Sequence, residues 1–294
     1  MPDSFPLLVF ATPKKLPDAR ALPGRVAVLD LGFCAQGLSP SFENMTGPFL
    51  DALGDRLCAW VDHHDHPYHE RYRRDPRFVL GTKKDHPACA PMVTPEVVLR
   101  LGPADTLVAH MDFDGVYSMA RWILGGREPY PGADADAVAV DTRTGDLTPW
   151  GRLVDHALRA RYHDETIKIA AVRALCDPAQ SSLFWETVRE AAREYEQLWE
   201  QTQHWAKKFV VSGSVAWVTV PDGARFDRTE LLLHGQRLAR IAVVENSGML
   251  ALAAPFDSGV NFLQLFQTGG GMPTRVALPI SRRAEVCEKL GFRG

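Results

Sequence analysis

No part of the sequence approaches the ~20 consecutive apolar residues of a membrane-spanning helix, so no membrane partner is expected. A basic excess is also missing: the 294 residues carry a net charge of −3. General surface charge therefore does not point to long duplex nucleic acid, and any phosphate group has to be held by a local cluster or by metal ions. The five cysteines, Cys34, Cys58, Cys89, Cys176 and Cys287, are odd in number and show no CxxC spacing. Their scatter excludes a disulfide framework and suggests reduced thiols in a cytoplasmic protein. Internal repeats and low-complexity segments are absent. The opening MPDSFPLLVFATPKK holds an apolar run of only about six residues behind an acidic one, which fits a first strand better than a secretory signal.

What is present is the composition of a folded globular chain, with 46% hydrophobic and 23% charged residues and a length suited to one large or two ordinary domains. Four short apolar runs, RVAVLDLG (25–32), LCAWVDHH (57–64), TLVAHMDFDG (106–115) and AVAVDTRTG (137–145), each lead to a carboxylate. Buried parallel strands deliver polar residues to their C-terminal edge in this way, so the pattern predicts an α/β sheet with its site along that edge. Between them, GVYSMARWILGG (115–126) reads as a helix closed by glycines. A long amphipathic helix is expected from Ser181 to Phe209, and strands and turns after it, including FVVSGSVAWVTV and ELLLHGQRLARIAVVENSGMLALAA. The boundary between two lobes falls within residues 176–208.

Two clusters carry the chemistry. WVDHHDHP (60–67) places Asp62, His63 and His64 at the end of an apolar run, and AHMDFDGVYSMA (109–120) places His110, Asp112 and Asp114 at alternate positions. On an extended strand end those three side chains would share one side, forming a half-cage of ligands for hard cations. Gly115 permits a tight turn into the next helix, where Ser118 is a candidate for contact with a bound anion. With Asp30 and His63 from neighbouring strands, three carboxylates and two imidazoles suit a pair of Mn²⁺ or Mg²⁺ ions sharing one carboxylate. His66 and His69 extend the cluster, but Pro67 and YHERYRR favour a solvated loop for them, and Arg71, Arg73, Arg74 and Arg77 read equally as a phosphate-steering face or a solvated one. His156 and His163 read as ordinary helical histidines.

These residues resemble the DHH phosphoesterases. VDHH (61–64) is similar to the signature that names that family, HMDFDGVYSMA (110–120) to its H-x-D-x-D-G-x-x-S motif, and AVLDLG (27–32) to its aspartate-bearing second motif. DHPACAPMV (85–93) resembles the stretch after the DHH motif, and GGGMP (269–273) the glycine-rich loop of the DHH-associated domain, with Met272 where the family usually has histidine. The motif order differs: Asp30 comes first, then Asp62-His63-His64, then His110-Asp112-Asp114, which reads as a circular permutation.

The resemblance implies a parallel-sheet α/β metal-binding catalytic domain over residues 1–178, a connecting helix over 179–208 and a smaller α/β substrate-binding lobe over 209–294. It implies His110 and Asp112 on one metal, Asp114 and His63 on the other, and Asp30 bridging them. Asp62 would orient His63, and His64 would serve as a phosphate donor or general acid. For the remaining ligand it favours helical Asp155 over Asp141. Substrate contacts would come from His64, Ser118, Gly269, Gly270, Gly271 and Arg275.

The implied function is two-metal hydrolysis, Mn²⁺ foremost and Mg²⁺ as the other candidate, of phosphodiester or phosphomonoester bonds. The substrate would be a short oligonucleotide, a dinucleotide or a nucleoside bisphosphate. Pyrophosphate or polyphosphate hydrolysis, and metal-retaining nucleotide binding without turnover, stand as alternatives, and self-association as a homodimer is open.

Overall fold

The computed structural model describes residues 5–34, 40–177, 182–255, 257–268 and 273–293. It divides into two compact units, Met1–Arg193 and Glu194–Gly294.

Five strands build the sheet of the first unit: β1 Leu7–Ala11, β2 Val26–Leu29, β3 Leu57–Asp62, β4 Phe78–Leu80 and β5 Thr106–His110. All neighbours are parallel, in the order β1-β5-β2-β3-β4. Alternation along β2 shows why both faces must be covered. Ala27 and Leu29 enter a core with Val61, Ala109, Val116 and Trp185, whereas Val26 and Val28 enter another with Phe33, Phe49, Trp60 and Val108. Each fully buried side chain of this size contributes about 1.5–3 kcal/mol.

Helices α1 Thr46–Leu53, α2 His69–Tyr72, α3 Pro95–Leu101, α4 Phe113–Ile123, α5 Ala133–Thr142, α6 Pro149–Ala160 and α7 Glu165–Leu175 belong to this unit. Short polar side chains set several starts: Thr94 caps α3 and Thr148 caps α6, each followed by a proline at the first helical position. The long α8, Leu183–Ala206, is shorter at both ends than the spacing predicts and spans the division between the units.

The second unit holds β6 Val210–Ser212, β7 Val215–Thr219, β8 Ile241–Asn246, β9 Met249–Ala253 and β10 Arg275–Pro279, ordered β10-β9-β8-β7-β6, with only β7 and β8 parallel. Helices α9 Arg228–Leu238, α10 Phe262–Phe266 and α11 Arg283–Leu290 complete it.

Two expected strand assignments are corrected. AVAVD lies in α5, because the apolar run continues an alanine-rich segment whose Asp134 and Asp136 sit in the first helical turn, where the helix dipole favours negative charge. Arg143, with φ 59°, ends it in the left-handed region. ELLLHGQRL is α9: the Asp227 side chain accepts the Glu230 N–H at 3.0 Å and so starts a helix whose Leu231, Leu232 and Gly235 are buried.

Candidate metal centre

Three of the parallel strands end within one small region. β2 stops at Leu29, and Asp30 follows with φ 52°, a left-handed conformation that aspartate tolerates better than most residues. The Asp30 amide donates to the Val61 carbonyl at 2.9 Å, tying this turn to β3. His63 follows β3, and Asp112 follows β5 and caps α4 by accepting the Gly115 N–H at 3.1 Å. The strand ending at His110 thus lies in one parallel sheet with those leading to Asp30 and His63, as expected. The extended run proposed from His110 to Asp114 stops sooner: Asp114 occupies the first turn of α4, because the Asp112 cap bends the chain into a helix.

His63 is the centre of the arrangement. Its Nδ1 lies 2.7 Å from the His86 carbonyl, which can only accept, so Nδ1 carries the proton and Nε2 presents a lone pair. Burial, then the neighbouring His64, lower the His63 pKa and keep the ring neutral. Nε2 nevertheless faces two more acceptors, Asp30 Oδ1 at 3.3 Å and Asp114 Oδ2 at 3.7 Å, and both Nε2 and Asp30 Oδ1 are buried without a hydrogen-bond partner. Lone pairs converging where water cannot reach fit a cation between them.

The rest of the set agrees. Ligand-competent atoms lie within 4.8 Å of one another in Asp30–His110–Asp112, in His63–Asp114–Asp141 and in Asp30–His63–His64, so Asp30 touches more than one grouping. Burial first, then the charges of Asp114, Asp112, Asp62 and Asp141, push the Asp30 carboxyl well above its usual range. Asp114 is raised likewise by burial and by Asp141, although the Cys89 and Ala90 amides donate to it at 2.6 and 2.8 Å. Asp112 goes the other way: burial alone would raise it, but His110, bonded to it at 2.6 Å, holds it below the usual range. A site that crowds carboxylates at this cost is a functional candidate.

Several expected roles change. Asp62 does not orient His63; its Oδ1 lies 2.8 Å from His64 Nδ1, because alternate residues of an extended chain share a side and adjacent ones do not. Asp155 lies outside these groupings, on α6, where Arg159 one turn later binds it at 2.8 Å; Asp141, near the end of α5, is the aspartate brought to His63 and Asp114. Ser118 is fully buried in the second turn of α4. His66 and His69 are not a solvated loop. His66 Nε2 meets the Cys34 carbonyl at 3.1 Å, and both rings pack edge-on against Phe33.

Arg275 lies on β10 of the second unit and donates to Thr229 at 2.9 Å, while Gly269, Gly270, Gly271 and Met272 lie outside the described residues. Lys83, 2.9 Å from Asp141, the His86 carbonyl and the amides of Cys89 and Ala90 were not singled out from sequence; DHPACAPMV contains the last three, but nothing in it shows which backbone groups turn inward.

Gly115 has a definite reason. A Cβ there would collide with the carbonyl oxygen of His110, where α4 starts against the end of β5. Gly115→Ala is expected to lower stability by about 1–3 kcal/mol and to weaken binding of a divalent metal by displacing Asp112 and Asp114. Thermal melts with and without Mn²⁺ check this; a variant melting like the wild type would show that the close approach is not needed.

No family model and no curated protein matches the sequence. Among solved structures, a pGpG-specific phosphodiesterase, PggH, from Vibrio cholerae matches over 98% of this chain and 97% of its own at 12% identity, with a TM-score of 0.53. An exonuclease RecJ bound to manganese matches over 90% of this chain and 74% of its own at 12% identity, TM-score 0.49. RecJ from Thermus thermophilus, in complex with Mn²⁺, matches over 91% and 45% at 11% identity, TM-score 0.46. At 12% identity the likeness is one of fold: a five-stranded parallel sheet followed by a second sheet, an architecture shared with a DHH phosphoesterase.

Proposed function

We propose that this protein is a divalent-metal-dependent phosphoesterase that hydrolyses a short nucleotide substrate, a dinucleotide, short oligonucleotide or nucleoside bisphosphate. The observation that carries the reading is the buried, unpartnered Nε2 of His63 facing Asp30 and Asp114, with Asp112 and Asp141 beside them. His110, Asp112 and Asp30 would hold one ion, and His63, Asp114 and Asp141 the other, with Asp30 between them. A bound pair of such ions would supply a water of lowered pKa, available as hydroxide near neutral pH, and positive charge opposite the phosphoryl oxygens. Mn²⁺ is the first choice and Mg²⁺ the second, since carboxylate and imidazole ligands suit both.

The chain's own residues supply the rest. Asp62, fully buried, takes the Nδ1 side of His64, whose ring is 36% exposed, so Nε2 is the nitrogen left to meet substrate. As water adds to phosphorus, the breaking P–O bond would leave a charged oxygen, which a protonated His64 would neutralise by donating its Nε2 proton. The strand that ends at His110 and leads to Asp112 comes late in the chain yet takes the sheet position beside β2; we read this as the motif slot filled in permuted order, since geometry and not chain order sets the roles. The second unit would supply substrate contacts, with Arg275 and the 269–271 glycines as candidates.

The small net charge favours a short substrate over long nucleic acid, and the likeness to the pGpG-specific enzyme supports a dinucleotide as the first compound to try. Hydrolysis of pGpG, an adenosine bisphosphate, pyrophosphate and long single-stranded DNA should be compared at equal Mn²⁺. Fastest cleavage of the dinucleotide or bisphosphate is expected. Preference for pyrophosphate would overturn the substrate class.

A further inference from the structure

Lys83 sits at the edge of the carboxylate cluster without belonging to either motif. Its ammonium lies 2.9 Å from Asp141 Oδ2, with the two side chains 32% and 19% exposed. Asp141 is also one corner of the His63–Asp114–Asp141 grouping. One carboxylate therefore serves two cations: the lysine that binds it here and any divalent ion held by the triad. Among the charges acting on Lys83 are also those of Asp30 and Asp114, so the ammonium stands in the field of the whole cluster.

With two ions bound, the charges would balance without the lysine. Asp30, Asp112, Asp114 and Asp141 carry four negative charges, which two divalent ions would cancel, and the fifth carboxylate, Asp62, is paired with His64, a cation in its acid role. Lys83 is then a surplus positive charge beside the reaction centre, on a long flexible stem and partly open to water. A phosphodiester carries one negative charge.

We propose that Lys83 competes with the divalent ion of the His63–Asp114–Asp141 position for Asp141, making that position the weaker of the two, and that its released ammonium contacts the phosphate of an anionic substrate. This rests on the metal-dependent reading above. Lys83 thereby couples filling of the weaker site to substrate binding: the ion frees the lysine from Asp141, and the lysine's new partner is the phosphate. A guanidinium at this position would keep the competition, whereas an apolar side chain of similar length would remove it.

The test is calorimetric titration of the full-length protein with Mn²⁺ alone, for wild type, Lys83→Met and Lys83→Arg, alongside hydrolysis of bis(p-nitrophenyl) phosphate. Wild type is expected to bind Mn²⁺ in two steps of unequal affinity. Lys83→Met should tighten the weaker step roughly tenfold, leave the stronger one unchanged and raise KM for the diester by a similar factor at saturating Mn²⁺. Lys83→Arg should keep the weaker step as in wild type. Melting curves establish that both variants fold, and Lys83→Gln replaces Lys83→Met should the apolar side chain prevent folding. Two Mn²⁺ steps in wild type that do not change in Lys83→Met would overturn the role of Lys83 alone. A wild type that binds no Mn²⁺ would overturn both this role and the metal reading on which it rests.

Discussion

Asp30→Asn is expected to melt higher than the wild type in the presence of chelator and to turn over substrate at least ~10³-fold more slowly when Mn²⁺ is supplied. The two effects share one cause. Without metal, an ionised Asp30 is a buried carboxylate repelled by Asp114, Asp112, Asp62 and Asp141, and its Oδ1 then meets the lone pair of His63 Nε2 at 3.3 Å. An asparagine amide removes the charge and can donate to that lone pair, a gain of about 1–3 kcal/mol. It also removes the charge that sits between the two proposed ion positions, hence the loss of activity.

The pH dependence has a definite sign. Because the folded-state pKa of Asp30 is raised above its unfolded value of about 3.9, its contribution to stability is fully present below that pH and is lost as pH rises through the folded value. Asp114 behaves in the same way. Asp112, held below its usual range, does the reverse: its contribution is present above the unfolded value and is lost as pH falls through the folded one. The melting advantage of Asp30→Asn in chelator should therefore grow from about pH 4 towards neutrality. An advantage that is absent, or that shrinks as pH rises, would show that the carboxylates are not in conflict.

His63→Ala and His64→Ala should separate metal holding from proton transfer. The two rings are adjacent in sequence but differently anchored, His63 by the His86 carbonyl and His64 by Asp62. His63 lies between Asp30 and Asp114 and is fully buried, so its removal should abolish the Mn²⁺-induced rise in melting temperature and lower turnover by ~10³-fold or more. His64 is more exposed and its Nδ1 is already engaged, so His64→Ala should retain that rise and lose roughly 10²–10⁴-fold in turnover. Equal loss of the metal response in both variants would make His64 a ligand instead, a role its position near Asp30 and His63 also permits geometrically.

These contrasts show how far the residues could be read before the fold was known. Apolar runs ending in Asp30, Asp62 and His110 were legible because a strand buried on both faces leaves an uninterrupted hydrophobic signature, and three such ends on one parallel sheet had to converge. AVAVD was misread because a four-residue apolar run fits a buried strand and a helix equally; the decision lay in the preceding ADAD, whose acids favour a helix start. That misreading also placed Asp141 second to Asp155 as the remaining ligand, although Asp141 reaches the cluster from a helix and not from a strand end. Asp155 drew attention by helical placement, but its partner Arg159 stands one turn away, the ordinary spacing of a helical ion pair. The His86 carbonyl and the amides of Cys89 and Ala90 were beyond reach, since backbone groups carry no residue-type signature.

The central claim is that these side chains hold divalent ions for phosphoester hydrolysis, and wild type against Asp112→Asn with pGpG tests it most directly. Wild type should cleave pGpG with Mn²⁺ and not with chelator, and Mn²⁺ should raise its melting temperature by an amount that grows with free metal. Asp112→Asn should fold, as shown by a cooperative melt, and cleave nothing. Mn²⁺ that raises the wild-type melting temperature while pGpG, short oligonucleotides, bisphosphates and pyrophosphate all stay intact would contradict catalysis and leave a metal-dependent nucleotide-binding protein in its place.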